Sequence, residues 1–131
     1  MMPSSVHCPG LALTLLVAFV ALGGCRGGKI DRAYPTLTGG TASRGEQIIL
    51  MKNCGSCHTI PGVRGAYGLV GPPLYFFGRR TYIAGELPNT PDNLVKWIRS
   101  PQSVEPNTAM PNLGLSEKQA RDVAAYLYSL R

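Results

Sequence analysis

The chain has 131 residues, 44% hydrophobic and 15% charged, with 13 Lys and Arg against 7 Asp and Glu for a formal net charge of +6. That length holds one domain plus an export segment. The basic residues are dispersed, Arg79-Arg80 being the densest pair. The basic stripe of a nucleic-acid-binding surface is therefore missing, and an anionic membrane or an acidic protein surface suits the charge better.

Residues 1–24 read as an export signal. The run "LALTLLVAFVAL" at 11–22 is as long as a signal-peptide core and too short to cross a hydrocarbon layer of about 30 Å. It stops at Leu22-Gly23-Gly24-Cys25, a tetrapeptide that resembles a bacterial lipobox, although residues 1–10 carry no Lys or Arg. The resemblance implies a lipidated Cys25 at the mature N-terminus and a periplasmic domain anchored to a membrane. The alternative is ordinary signal cleavage nearby, with a free Cys25. Residues 26–42, rich in Gly and Thr and without apolar periodicity, predict a flexible tether spanning about 23 Å root-mean-square.

From residue 43 the pattern turns helical. Ser43 and Glu46 have capping-box spacing, and Ile48, Ile49 and Leu50 provide apolar surface for a helix over 43–53. The stretch "NCGSCHTI" at 53–60 follows, placing Cys54, Cys57 and His58 together. A redox dithiol would need the pair at a helix start after a strand, and no strand pattern precedes it. A structural zinc site needs four Cys or His ligands. Cys8 and His7 leave with the signal and Cys25 belongs to the lipobox, so only three donors remain, crowded into one turn. Cys-x-x-Cys-His is also the attachment signature of covalent haem, with both sulfurs as thioether anchors and the histidine on the iron. The sequence therefore predicts one haem c on Cys54 and Cys57, with His58 as an axial ligand.

About thirty glycine-rich residues follow, a length that in a small domain wraps something or is disordered. A second helix is predicted from Thr90 as N-cap, with Pro91 in first position, Asp92 in the first turn, and Leu94, Trp97 and Ile98 on its apolar face, ending before Pro101. A third runs over 116–130, with Ser116 and Gln119 as a capping box and Ala120, Val123, Ala124 and Leu127 as its stripe. Between these helices lies "PNTAMPNLGL", which contains Met110. The mature chain has no second histidine, and Met51 sits one turn before Cys54 on the His58 side. Met110 is thus the candidate sixth ligand, and His/Met ligation raises reduction potential. Lys96 or Lys118 would be an unusual substitute.

Over residues 43–131 the sequence resembles a class I cytochrome c, through "NCGSCHTI", "GPPL", "NLVKWIRSPQ", "PNTAMPNLGLS" and "DVAAYLYSL" in order. The segment "AGELPNTPDNLVKWIRSPQ" is most similar to the cytochrome c domain fused to subunit II of some bacterial haem-copper oxidases. The copper-binding part has no counterpart here, so a free-standing relative is expected. The resemblance implies an all-α fold of three main helices, with long loops around one covalent haem. It implies that Pro72 offers its carbonyl to His58 Nδ1–H, that Trp97 packs beside the Met110 sulfur, and that Arg80, or its neighbour Arg79, and Thr108 meet haem propionates. It implies a close helix crossing at Gly45 and Tyr126. The expected protein carries single electrons in a bacterial respiratory or periplasmic chain, with a terminal oxidase or another redox enzyme as partner. It is not expected to be an enzyme. A competing expectation is an enzyme or sensor with an exchangeable distal site, and a third is a fixed subunit of a larger complex.

Overall fold

A computed structural model describes residues 35–131, so the signal at 1–24, Cys25 and most of the tether lie outside the described residues. In chain order the elements are α1 (Pro35–Thr38), α2 (Ala42–Met51), β1 (Tyr82–Ile83), β2 (Leu87–Pro88), α3 (Pro91–Arg99) and α4 (Glu117–Ser129). Short 3₁₀ turns occupy Cys54–Ser56, Phe77–Arg79 and Pro101–Ser103. The fold is that of a small all-α domain with one minimal hairpin. Among the described residues no helix is long and apolar enough to cross a membrane.

α4 is the hub against which α1, α2 and α3 all pack. Its N-terminus carries the expected capping box: the Ser116 hydroxyl accepts from Gln119 N–H at 3.2 Å, and the Gln119 side chain accepts from Ser116 N–H at 2.9 Å. Ala120, Val123, Ala124 and Leu127 are buried as their spacing predicts, and Ala125, Tyr126 and Tyr128 are buried beside them. α3 begins as expected, with the Thr90 hydroxyl accepting from Asn93 N–H and Pro91 in first position. Leu94, Val95 and Ile98 face the core, and Trp97 is half-buried at its edge.

α2 starts differently from the expectation. It begins at Ala42, Thr41 is its N-cap without a side-chain cap bond, and Ser43 and Glu46 form no capping box. The buried Asp122 of α4 serves that end instead. Its carboxylate accepts from Thr41 N–H at 2.7 Å and from the Arg44 guanidinium at 3.1 and 3.2 Å. A carboxylate at a helix N-terminus meets unpaired N–H groups and the positive end of the dipole, so a tertiary partner replaces the local cap. The helices then cross at Gly45. A Cβ there would stand 2.1 Å from the Asp122 carbonyl oxygen and 3.0 Å from Tyr126 Cβ, so only glycine allows this approach.

Two further expectations are corrected. Residues 35–42, assigned to the flexible tether, are folded onto the domain: Thr38 is buried, its carbonyl accepts from Arg121 at 3.1 Å, and α1 packs on α4. No apolar periodicity signals this, because the docking is made by backbone and by a small buried hydroxyl. The long loop also contains a hairpin, with Ile83 opposite Leu87. Its turn has Ala84 and Gly85 at φ of 54° and 81°, the left-handed pair of a tight hairpin turn. Alanine in place of the usual Asn or Asp hides that turn from the sequence.

Candidate haem-binding site

α2 stops at Met51, and Asn53 takes a left-handed conformation (φ 54°) that asparagine tolerates better than most residues. This reversal feeds directly into the 3₁₀ turn at Cys54–Ser56. The Cys54 carbonyl accepts from Cys57 N–H at 3.3 Å and from His58 N–H at 3.0 Å. Two free thiols and an imidazole are thereby held on one turn, with Cys54 partly buried against the core. Burial pushes the Cys54 thiol up, with its own backbone bond opposing and neighbouring Cys57 adding to the rise. A reactive dithiol lowers the pKa of its attacking thiol, the opposite of what burial does at Cys54. Among the described residues no three His, Cys, Asp or Glu side chains gather to hold a bare metal ion.

His58 is fixed from two sides. Its Nδ1 lies 2.7 Å from the Pro72 carbonyl oxygen. A carbonyl can only accept, so Nδ1 carries a proton, and in the neutral ring the lone pair is on Nε2. The ring lies directly over Gly71, where a Cβ would stand 2.3 Å from Cε1. The strand of chain that bears these groups is itself stitched down. Gly71 N–H donates to Cys57 O at 2.8 Å, Leu74 N–H to Thr59 O at 2.8 Å, and Thr59 Oγ1 to Gly68 O at 3.0 Å.

Met110 lies in the connector between α3 and α4, and is partly buried. Its N–H donates to Thr108 Oγ1 at 3.3 Å and its carbonyl accepts from Gln102 Nε2 at 2.7 Å. Lys52, at the end of α2, donates to Leu113 O at 3.0 Å and ties the connector to the Cys-x-x-Cys-His turn. Trp97 packs at the core edge. Arg80 lies over the Phe77 ring, 5.5 Å from its centroid, and donates to the carbonyls of Pro73 and Tyr75. Thr108 is half-buried beside Met110 and serves its turn.

The donor set fits a covalent haem better than a bare ion: two unpaired thiols three positions apart, an imidazole with a committed Nδ1 and a free Nε2, and a glycine cradle under the ring. This is the arrangement of a c-type haem protein, and the chain belongs to the cytochrome c family, whose model matches residues 42–131. The family binds one covalently attached haem c and transfers electrons. Relatives named cytochrome c oxidase subunit 2 also match the chain. That of Alkalihalophilus pseudofirmus is 38% identical over 91 residues, covering 69% of this chain and 26% of the relative. That of Bacillus sp. strain PS3 is 38% identical over 101 residues, covering 74% and 28%. That of Bacillus subtilis is 31% identical over 94 residues, covering 69% and 26%. The chain thus spans about a quarter of the length of these relatives.

Three positioning groups escape sequence reasoning. Gln102 and Lys52 act through long side chains on distant carbonyls, and Asn89 bridges Tyr128 to the carbonyls of Phe77 and Arg80. No local pattern marks them. The Gln102 bond, in the "SPQ" that follows α3, spans the fewest residues of the three.

Proposed function

We propose that this protein is a monohaem electron carrier in a bacterial respiratory or periplasmic chain, with haem joined to Cys54 and Cys57 and ligated by His58 and Met110. The observation that carries the reading is the Nδ1–Pro72 contact of His58, which presents Nε2 alone as a ligand lone pair. The bound group supplies an iron that changes by one electron. The chain's part is to hold the ligands still, so that little reorganises when the charge changes. The Pro72 carbonyl orients the imidazole and raises its basicity. The Thr108 and Gln102 bonds fix the backbone on both sides of Met110, whose thioether favours the reduced state. Trp97 would pack against the bound group, and Arg80 and Thr108 would offer donors to its propionates. No residue is assigned a catalytic role.

The similarity to oxidase subunit 2 supports a redox partner of the haem-copper oxidase kind, reached through the chain's net positive charge. Cys25 would carry the lipid, with 1–24 removed as a signal and the domain held on the outer side of a membrane.

The test is the spectrum of the intact oxidised protein. Low-spin iron with a sulfur-to-iron(III) charge-transfer band supports the reading. Immediate binding of cyanide or carbon monoxide without that band overturns the carrier mechanism in favour of an exchangeable distal site. Intact mass of the mature protein tests the anchor: one haem plus an acylated Cys25 supports it, and a form starting beyond Cys25 refutes it.

A further inference from the structure

Within the segment that gives His58 its carbonyl partner, two residues lack a main-chain tie of their own. Pro72 and Pro73 have no N–H, so two successive backbone donors are missing. The Leu74 N–H bond to Thr59 O is the main-chain tie at this point. Leu74 also packs against the core, and a side-chain hold comes from Arg80, whose Nη2 donates to the Pro73 carbonyl and, at 3.1 Å, to the Tyr75 carbonyl. These two carbonyls flank Leu74, and the Pro72 carbonyl on His58 is one residue away.

Arg80 is in turn held by α4. Tyr128 Oη donates to Asn89 Oδ1 at 2.8 Å, and Asn89 Nδ2 donates to Phe77 O at 3.1 Å and to Arg80 O at 3.0 Å. The Asn89 backbone N–H donates to Thr81 O at 2.8 Å. This one amide therefore uses both of its N–H groups and its oxygen to fasten the 77–81 turn. The stack reinforces it: Phe77 meets the Tyr128 ring edge-on at 6.2 Å, and the Arg80 guanidinium covers Phe77. The turn itself is entered through Phe76 at φ 53°, a conformation that a bulky residue keeps only when its surroundings enforce it.

Resting on the haem reading above, we propose that Arg80 is a positioning residue for His58. Braced by Asn89 and Tyr128, it clamps residues 72–75 so that the Pro72 carbonyl stays on the imidazole Nδ1–H. A propionate contact uses other donors of the same five-donor fork and does not compete with this role.

The test uses the intact haem-loaded protein in its reduced, diamagnetic state. Solvent exchange of the His58 Nδ1–H is followed by NMR, with the midpoint potential as second readout. Arg80→Lys keeps the charge but loses the two-carbonyl fork. It is expected to speed exchange about fivefold or more, the worth of one lost hydrogen bond, and to move the potential positive as the imidazole donates less. Asn89→Leu keeps Arg80 itself and is expected to act in the same direction by a smaller factor, and Tyr128→Phe by the smallest. Wild-type exchange and potential in Arg80→Lys would mean that charge alone matters, and would overturn the proposal. So would unchanged exchange in both Arg80→Lys and Asn89→Leu, even if both melt earlier. A wild-type protein without His/Met low-spin character would instead sink the functional reading, a separate failure visible before any variant is made.

Discussion

The His58 segment and the Met110 connector hold their candidate ligands by different means. Around His58, residues 54–75 bond to one another repeatedly, and the imidazole has a hydrogen-bond partner of its own in Pro72. Around Met110 the backbone is pinned by Thr108 and Gln102, and among the described residues the connector is tied to α2 by the Lys52–Leu113 bond. Local stability follows the density of such ties. The histidine side is therefore the rigid half of the site and the methionine side the half that opens first.

The largest expected effect separates the halves directly. His58→Ala removes the proposed ligand on the 3₁₀ turn, and no stable low-spin haem protein is expected to accumulate. Met110→Ala leaves the rigid half intact. It is expected to yield haem-loaded, folded protein that lacks the charge-transfer band and binds cyanide or carbon monoxide at once. Absorption spectra of both purified variants check this. Equal loss of haem in the two would erase the asymmetry.

Gly71→Ala probes the rigid half without touching a ligand. The new Cβ would sit 2.3 Å from His58 Cε1 and 2.7 Å from Nδ1, so the ring or the backbone must move and the Pro72 bond is strained or lost. A cost of about 1–3 kcal/mol is expected. Denaturant unfolding of the haem-loaded protein measures it, together with a shifted potential. An alanine that leaves both unchanged would mean that the cradle is softer than its packing indicates.

What the sequence shows of these two regions follows the range of the interactions. Cys54, Cys57 and His58 announce themselves because their chemistry needs a fixed local spacing. The caps at Thr90 and Ser116 are equally local, and both form as expected. The start of α2 misleads because its partner, Asp122, comes from α4 across 81 positions. The docked residues 38–41 and the Ala84-Gly85 turn are hidden for similar reasons, being fixed by backbone contacts or by an atypical turn residue. Met110 is reached as a candidate by elimination among few residues, whereas Gln102, whose amide bonds the Met110 carbonyl, is one exposed polar residue among many.

A third and smaller effect concerns the seam between α4 and the loops, which serves both halves. Burial pushes the phenols of Tyr126 and Tyr128 up to about 12, with Glu46 adding to the rise at Tyr126. Tyr126 donates to Pro61 O at 2.7 Å and Tyr128 to Asn89. Each phenol holds its proton more tightly in the folded chain than in the unfolded chain, where its value is near 10. Their contribution is therefore complete below pH about 10 and is lost as pH rises from about 10 to 12. Unfolding free energy should fall over that window. The fall should be shallower in the Tyr126→Phe, Tyr128→Phe double variant, which starts from a lower plateau. A parallel fall in both proteins would assign the alkaline loss to other groups.

The smallest expected effect tests the softer half at its tie. Gln102 is exposed, and its amide contributes one bond, 2.7 Å long, to the Met110 carbonyl. Removing it in Gln102→Ala leaves an acceptor that water can satisfy, so global stability should change by no more than about 1 kcal/mol. The consequence is local. The closed arrangement of the connector loses one of its few supports, and the open population rises by the same free energy. An external ligand that needs the open form should then bind about three- to tenfold more tightly. Imidazole titration of the oxidised protein reads this directly, because it reports displacement of the proposed Met110 ligand without unfolding the domain. Gln102→Glu makes the contrast sharper. It keeps the length but offers no amide N–H, so it should match alanine rather than wild type. If both variants bind imidazole as wild type does, the Met110 loop is held by its flanking prolines and by Thr108 alone.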